Sequence, residues 1–298
     1  MPPFLMSIVS NTDHWMYISS NGGLTAGRKN PDYALFPYYT DDKILESHLS
    51  TGSQTIFRVL QGKKWLLWEP FSNHYRGLYR CSRNLYKSVH GNKIIFEEIN
   101  HDLELRFRIR WMNSDKYGWI RESQVRNISE NEQTIRILDG IRNILPAGIQ
   151  KEVQEKMSTL LDAYKKTELE EAVNLGIFTM SSIPVDRAEP SEALRANIVW
   201  TTLKKPDAVL LSEKQVDQFR DYGDVDTEEG TRGVRGAYYV CSDIHLPVAG
   251  NHVHHLVMDV YKETASVIDL IHLLGQGTEM RGKLRKDVKA GTQKLISL

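Results

Sequence analysis

The chain has 298 residues, which is enough to bury a sizeable core in one large domain or two small ones. Its composition, 41% hydrophobic and 26% charged, is that of an ordinary soluble globular protein. The 38 basic and 38 acidic residues cancel, and no long run of Lys or Arg occurs. We therefore expect neither nucleic acid nor a membrane surface as a partner.

The early part of the chain is predicted to be β-structure. WMYISSNGGLTA alternates apolar and polar residues until Gly22 and Gly23, and TIFRVLQGKKWLLWEP forms two short runs around a Gly-Lys turn. The segment GGLTAGRK lacks the spacing of GxxxxGK[ST] and of GxGxxG, and no parallel βα unit surrounds it. The double glycine is therefore predicted to be a strand-to-strand turn that needs positive φ, and not a phosphate loop.

A run of strict alternation gives the strongest strand signal. Odd-numbered residues from 103 to 111 are apolar and even-numbered ones are charged, which gives a strand with one apolar and one charged face. The polar turns EINHDLEL and NISENEQ flank this region, so IIFEEINHDLEL through QTIRIL is predicted to be an antiparallel meander. Its arginines could bind an anion, but its glutamates favour a solvated, mutually neutralised face; the residues are Arg106, Arg108, Arg110, Arg121 and Arg126 with Glu97, Glu98, Glu104 and Glu122.

The second half mixes helices and strands. Apolar residues at helical spacing begin at Gln150 and predict an amphipathic helix that ends near TELEEAVNLG. Strand-like segments return in LGIFTMSSIPV, RANIVWTTL, AYYVCSDIHL and HVHHLVMDVY. After Lys262 the spacing is helical to the end, and the chain stops on the apolar LISL without a C-cap. We expect this last helix either to dock onto the body or to continue into something longer.

Few residues form a recognisable catalytic or metal-binding pattern. Alternation puts His252 and His254 on one face with His255 on the other, but no carboxylate or cysteine lies at a companion spacing, so half-buried histidines are favoured over a metal site. Cys81 and Cys241 are too few for a four-thiolate zinc site or a disulfide scaffold. No G-x-S-x-G elbow occurs, and the many acidic residues cannot be paired across a cleft from sequence. No metal and no cofactor are predicted.

Aromatic residues are the best ligand-binding candidates, because their faces stack on the C–H surfaces of sugars, although Trp and Tyr also serve as sheet core. Together with polar neighbours in the early strands, they give a predicted set of ligand-binding residues: Asn21, Arg28, Tyr38, Tyr39, Trp65, Trp68 and His74.

Three segments resemble a known class of domain. YISSNGGLTAGRKNPDYALFPYYTDDKI resembles the opening of the N-terminal β-sandwich of cellobiose- and chitobiose-phosphorylase-type enzymes, where an SNG turn leads into a glycine- and aromatic-rich strand. LELRFRIRWMNSDKYGWIRESQVRNISENEQTIRILDGIRNILPAGIQ resembles the galactose-mutarotase-like supersandwich, whose long meander ends in a DG…N.LP segment. SSIPVDRAEPSEALRANIVW is similar to segments of large relatives. The resemblance covers most of residues 5–262.

This resemblance implies a mainly β fold, an antiparallel β-supersandwich with a few inserted helices and a C-terminal helical linker. Residues 1–262 would form the supersandwich, and residues 263–298 would begin a linker to a missing C-terminal catalytic domain, an (α/α)6 barrel that carries the catalytic acid. No catalytic residue can be carried over to this chain. Free-standing aldose mutarotases have a similar length and use a His/Glu pair, but the motif context of that pair matches no His or Glu here.

The function expected on this basis is a non-catalytic, carbohydrate-associated N-terminal domain of a larger glycosidase- or glycoside-phosphorylase-like enzyme. It would serve packing, dimerisation or substrate-site shaping, so its expected partners are carbohydrate, the catalytic domain and a second copy. One alternative is a stand-alone epimerase-type enzyme, which predicts a concave sheet face with a His and a Glu within reach of one sugar oxygen. Another is a protein-interaction module. The compartment, cytoplasm or periplasm, stays open.

Overall fold

A computed structural model describes residues 2–75, 77–182, 195–277 and 279–298. Most of the segment SSIPVDRAEPSEALRANIVW lies outside the described residues. The strands are β1 (Leu5–Ser7), β2 (His14–Ser19), β3 (Leu24–Arg28), β4 (Gly52–Gln61), β5 (Lys64–Trp68), β6 (Cys81–Lys87), β7 (Lys93–Asn100), β8 (Leu105–Ser114), β9 (Gly118–Asn127), β10 (Gln133–Ile144), β11 (Lys165–Glu170), β12 (Leu175–Met180), β13 (Arg195–Thr201), β14 (Ala208–Leu210), β15 (Gly230–Arg232), β16 (Gly236–Leu246) and β17 (Asn251–Glu263). The helices are α1 (Asp41–Glu46), α2 (Lys151–Tyr164), α3 (Val216–Asp221), α4 (Thr264–Gly275) and α5 (Met280–Ile296).

Two large sheets pack face to face. The nine-stranded sheet has the order β15-β11-β12-β13-β17-β9-β8-β7-β6, and the five-stranded sheet has the order β14-β16-β10-β4-β5. Strands β1, β2 and β3 form a separate three-stranded sheet. The main core lies between the large sheets and includes Phe57, Phe107, Ile137, Tyr238 and Met258. The predicted mainly β, antiparallel sandwich is confirmed.

The predicted meander is confirmed for three of its four strands. Strands β7, β8 and β9 follow one another as antiparallel neighbours in the nine-stranded sheet. Strand β10 does not continue the meander, because the free edge of β9 is taken by β17. Instead β10 crosses to the opposite sheet and pairs with β4 and β16. This crossing lets one short stretch of chain supply both walls of the core.

The helix predicted from Gln150 ends earlier than its sequence suggested. Helix α2 stops at Tyr164, and the predicted helical tail TELE belongs to β11. Strand β11 pairs with β12 on one side and β15 on the other, so sheet hydrogen bonds override the helix propensity of its glutamates. Its alternating Lys165 and Thr167 are buried, which is the period of a strand.

The double glycine forms the predicted turn between β2 and β3. Gly22 has φ +94°, a conformation that only glycine adopts readily. Gly23 lies against the carbonyl oxygen of Ile44 at such close range that a side chain there would overlap it. The turn therefore needs glycine at both positions for two different reasons.

Two C-terminal helices add a third layer. Buried Val267 of α4 and Met280, Leu284 and Val288 of α5 pack on apolar residues of the outer face of the nine-stranded sheet, among them Ile120. Asn92 Nδ2 also donates to Thr292 Oγ1 of α5 at 2.8 Å. The helical spacing predicted after Lys262 is confirmed, and within the described ranges no helix is both long and apolar enough to cross a membrane.

Candidate functional site

A pocket of about 920 Å³ lies between the outer face of the nine-stranded sheet and helix α5. Strands β7, β8, β9 and β17 form its floor, and α5 forms its wall. Its apolar lining consists of Met112, Ile120, Val253, Leu284, Val288 and Ile296. Its polar lining on the sheet side consists of Lys93, Arg110, Glu122, Gln124, Asn251 and His255. The pocket therefore combines an apolar surface with convergent polar groups.

Three polar side chains form one cross-strand row on the pocket floor. Arg110 of β8 lies opposite Glu122 of β9, and Glu122 lies opposite His255 of β17. Arg110 Nη1 lies 2.9 Å from Glu122 Oε1, and His255 Nε2 lies 3.3 Å from Glu122 Oε2. The row exists because residues directly opposite each other in antiparallel strands bring their side chains together on one face.

Thr202, which follows β13, sets the orientation of the His255 ring. The backbone N–H of His255 donates to Thr202 Oγ1 at 2.9 Å, and the same oxygen lies 3.2 Å from His255 Nδ1. The Thr202 hydroxyl can donate to Nδ1 or accept from it, so this contact alone does not fix the tautomer. At the other ring nitrogen the direction is set by Glu122, because a carboxylate only accepts, so a proton on Nε2 points at Glu122.

Glu122 is held as a carboxylate. Burial raises the pKa of Glu122, but the hydrogen bond from His255 and the charges of Arg110 and Arg285 lower it by more, so this pKa lies below its usual value. For Lys93 burial is the largest effect and the charge of Arg110 adds to it, so the pKa of Lys93 lies below its usual value. The row can therefore accept hydrogen bonds and donate them.

Arg121 is a correction to the predicted solvated face. On β9 it lies opposite Trp111 and not opposite a charged residue, so it shares the apolar face and is fully buried. There its guanidinium pairs with buried Asp139 of the opposite sheet. For Arg108 and Arg110 the predicted pairing with glutamates is present, since Arg108 pairs with Glu97 and Arg110 with Glu122, but Glu97 is buried and so this face is not simply solvated.

The histidines of HVHH divide between the two faces of β17 as their alternation predicts. His252 and His254 point into the sandwich, with ring centroids 5.5 Å apart, while His255 lines the pocket. His254 Nε2 lies 2.8 Å from Asp139 Oδ2, so this ring belongs to the interior ion-pair cluster. Among the described residues, no group of three His, Cys, Asp or Glu side chains is placed to hold a metal ion.

The candidates predicted from the first strands lie away from this pocket. Asn21 holds the β2–β3 turn by donating to the Leu45 carbonyl at 2.9 Å. Arg28 pairs with Asp13 at 3.0 Å and with Asp259 at 3.2 Å. Half-buried Tyr38 packs edge-on against Trp15, at a centroid distance of 5.5 Å, and burial raises the pKa of half-buried Tyr39. Asn21, Arg28 and Tyr38 therefore have structural partners of their own.

The three remaining candidates also do not converge. Trp68 is 2% exposed; it stacks on Phe57 in the core and donates to Glu98 at 2.9 Å. Trp65 is 41% exposed on β5, and His74 is exposed in the following loop. In the part of the chain that the structure describes, none of the seven predicted ligand-binding residues lines the pocket.

Sequence patterns single out several of the pocket residues, but they do not predict that these residues line one pocket. Arg110 and Glu122 lie on consecutive strands of the predicted meander, but the register that adds His255 joins β9 to β17, far along the chain. One signal could have found the wall of the pocket. Arg281, Arg285 and Lys289 recur at intervals of four residues, which aligns them along one face of a helix.

Comparisons with known proteins agree with the fold. No protein-family model matches the chain, and no curated protein matches its sequence. A bacterial glucoamylase complexed with acarbose matches 100% of this chain with a TM-score of 0.51 and 8% identity, and the match spans 38% of the glucoamylase. A galactose mutarotase-like protein from Clostridium acetobutylicum matches 89% of this chain and 99% of its own, with a TM-score of 0.47 and 7% identity. One from Lactobacillus casei matches 87% and 100%, with a TM-score of 0.44 and 11% identity. The chain therefore shares the β-sandwich fold of part of the glucoamylase.

Proposed function

We propose that the chain is a carbohydrate-binding β-sandwich domain that holds a saccharide in the pocket between the nine-stranded sheet and α5. The proposal rests on the lining of this pocket. Apolar side chains such as Met112 and Ile120 lie beside hydrogen-bonding groups of Glu122, Gln124 and His255. A sugar offers both apolar C–H faces and hydroxyl edges, so it suits a site of this mixed character. A volume of about 920 Å³ lies within the range of roughly 300–1,000 Å³ typical of ligand pockets.

We further propose that the domain works within a larger glycosidase- or glycoside-phosphorylase-like enzyme, where it shapes the substrate site. The fold shared with part of a glucoamylase supports this role by analogy of fold.

A pocket-filling substitution tests where the saccharide binds. Val253→Trp should abolish saccharide binding in isothermal titration, because the indole would occupy the pocket that Val253 lines. Val248→Trp is the matched control, since Val248 is 53% exposed and lies outside the described lining. Equal binding by both variants would reject the pocket as the site. No binding of any saccharide by the unchanged protein, across neutral and charged oligosaccharides, would reject the carbohydrate function.

The contact between His255 and Glu122 favours a second candidate, an epimerase-type reaction on a sugar. In such a reaction one group removes a proton from the anomeric hydroxyl while another protonates the ring oxygen, so that the ring opens and recloses. His255→Asn and Glu122→Gln should each lose any acceleration of anomer interconversion measured by NMR. His245→Asn is the control, because His245 makes the same kind of contact with Glu132, at 3.3 Å, on the exposed surface. No acceleration with any of a panel of hexoses would reject this candidate.

A further inference from the structure

We propose that the saccharide held in this pocket is anionic and carries a carboxylate, sulfate or phosphate group. This inference rests on the proposed carbohydrate-binding function and specifies the class of its ligand. It starts from the charge of the lining. The cationic lining residues are Lys93, Arg110, Arg281, Arg285 and Lys289, and the acidic lining residue is Glu122. The chain as a whole has a net charge of +0, so this excess is local.

Most of these cations lack a carboxylate partner. Arg110 pairs with Glu122 at 2.9 Å, and Glu122 also contacts His255. Over the described ranges, no carboxylate lies within 4.0 Å of the charged nitrogens of the other four, Lys93, Arg281, Arg285 and Lys289. Outside the pocket on the same sheet face, Arg106 and Arg108 both lie against Glu97, while Arg126, opposite Arg106, has no carboxylate within 4.0 Å among the described residues. The pocket differs in that four such cations line one cavity.

Three like charges line the α5 side of the pocket. Arg281, Arg285 and Lys289 follow one another at i, i+4 spacing, where like charges destabilise a helix. The acidic residue of α5, Asp287, points elsewhere and accepts hydrogen bonds from Ser114 Oγ and the backbone N–H of Lys116. An anion in the pocket would relieve repulsion among the three cations, none of which has a carboxylate within 4.0 Å among the described residues.

The sheet side repeats this arrangement. Lys93 of β7 is half-buried, and burial and the charge of Arg110 lower its pKa. Glu122 is already engaged by Arg110 and His255, and Arg285 of α5 acts on it from across the pocket. Cations thus face one another from sheet and helix, which gives an anionic group donors on both sides. The apolar floor beside them can contact the C–H face of a sugar, whereas a free oxyanion has no apolar surface to place there.

Titration of matched saccharides tests the inference. Oligosaccharides that contain a uronate, a sulfate ester or a phosphate ester are compared with their neutral counterparts, and with inorganic sulfate and phosphate. We expect at least one anionic saccharide to bind about tenfold more tightly than its neutral counterpart, with an advantage that shrinks as salt rises. Arg285→Gln should reduce that advantage about tenfold. Lys286→Gln removes the same charge from an exposed position of the same helix outside the described lining and should leave it unchanged.

Each outcome decides a different claim. Equal affinity for neutral and anionic saccharides would overturn the inference and leave the carbohydrate function standing. Sulfate or phosphate ions that bind as tightly as the anionic saccharide would also overturn it, since the sugar would then contribute nothing. Binding of no saccharide of either kind would reject the proposed function itself. Urea unfolding of both glutamine variants, which alter exposed side chains, verifies that any loss of affinity is not a loss of fold.

Discussion

The guanidinium of Arg121 grips both carboxylate oxygens of Asp139 across the interior of the sandwich, at 2.8 Å each. Neither side chain is exposed. The remaining donors of Arg121 go to the hydroxyls of Ser53, Thr55 and Ser123, so every N–H direction of its planar fork has a partner. Burial raises the pKa of Asp139, but the charge of Arg121 and the hydrogen bond from His254 lower this pKa by more than burial raises it. The carboxylate therefore stays charged.

Removing one member of this pair should be severe. We expect Arg121→Met to lower the free energy of unfolding by about 3–5 kcal/mol, because the Asp139 carboxylate stays buried without its cation. Adding Asp139→Leu should cost less than the sum of the two single changes, since both charges are then gone. Urea unfolding measures all three variants. Arg80→Met, which breaks the exposed Arg80–Asp102 pair, should cost under about 1 kcal/mol; an equal cost would contradict the role of burial.

Two histidines should make stability depend on pH. Burial is the main cause that lowers the pKa of both His14 and His252 to about 4. An unfolded histidine has a pKa of about 6.5, so between pH 6.5 and 4 the unfolded chain binds more protons than the native protein. Stability therefore falls as the pH falls through this window and is fully present above it.

His14→Gln should remove part of that dependence. We expect the loss of unfolding free energy between pH 7 and pH 5 to shrink by about 1–2 kcal/mol, because glutamine does not take up the proton. Urea unfolding at the two pH values measures it. His74→Gln, a change at an exposed position, should leave the loss as it is. If the His14 variant showed the same pH dependence as the unchanged protein, then His14 would take up its proton over the same pH range in the native and unfolded states, which would contradict this prediction.

The two tryptophans of β5 should respond very differently to truncation. Trp68→Ala should cost about 3–5 kcal/mol of unfolding free energy, because it empties a core position beside Phe57. Trp65→Ala should cost less than about 1 kcal/mol, since 41% of this side chain is exposed. Thermal unfolding separates them. Similar costs would mean that Trp65 packs as tightly as Trp68.

Some features of this protein can be predicted from its sequence, and others cannot. Alternation and turn residues predict the antiparallel meander, the strand faces and the glycine turn, because these depend on neighbours in the chain, whereas the sandwich class is implied by the family resemblance. The same alternation places Arg121 on the face of Trp119 and Val125, but a charged residue there reads as a misplaced surface residue until Asp139 is found opposite. His255 joins Arg110 and Glu122 through the register of β17 on β9, two strands far apart in the chain, which no local pattern encodes.

The glycine turn gives a test of close backbone approach. Gly23→Ala should cost about 1–3 kcal/mol, because the new methyl group overlaps the Ile44 carbonyl oxygen and α1 must shift. Gly22→Ala meets no atom within 4 Å, so its cost should be only the strain of φ +94°, about 1 kcal/mol. Urea midpoints rank the two. A larger loss from Gly22→Ala would mean that the α1 segment yields easily.

The sheet forms the floor of the pocket and α5 forms its wall, so the complete site exists only while α5 is docked on the sheet. Any fraction of molecules in which α5 has lifted away from the sheet lacks Arg281, Arg285 and Lys289 and cannot bind in the same way. The measured affinity is then the intrinsic affinity scaled by the docked fraction. Reciprocally, a bound ligand shifts molecules toward the docked form. A partner that binds the outer side of α5 and changes the fraction of molecules in which this helix is docked would therefore change the occupancy of the pocket without contacting it.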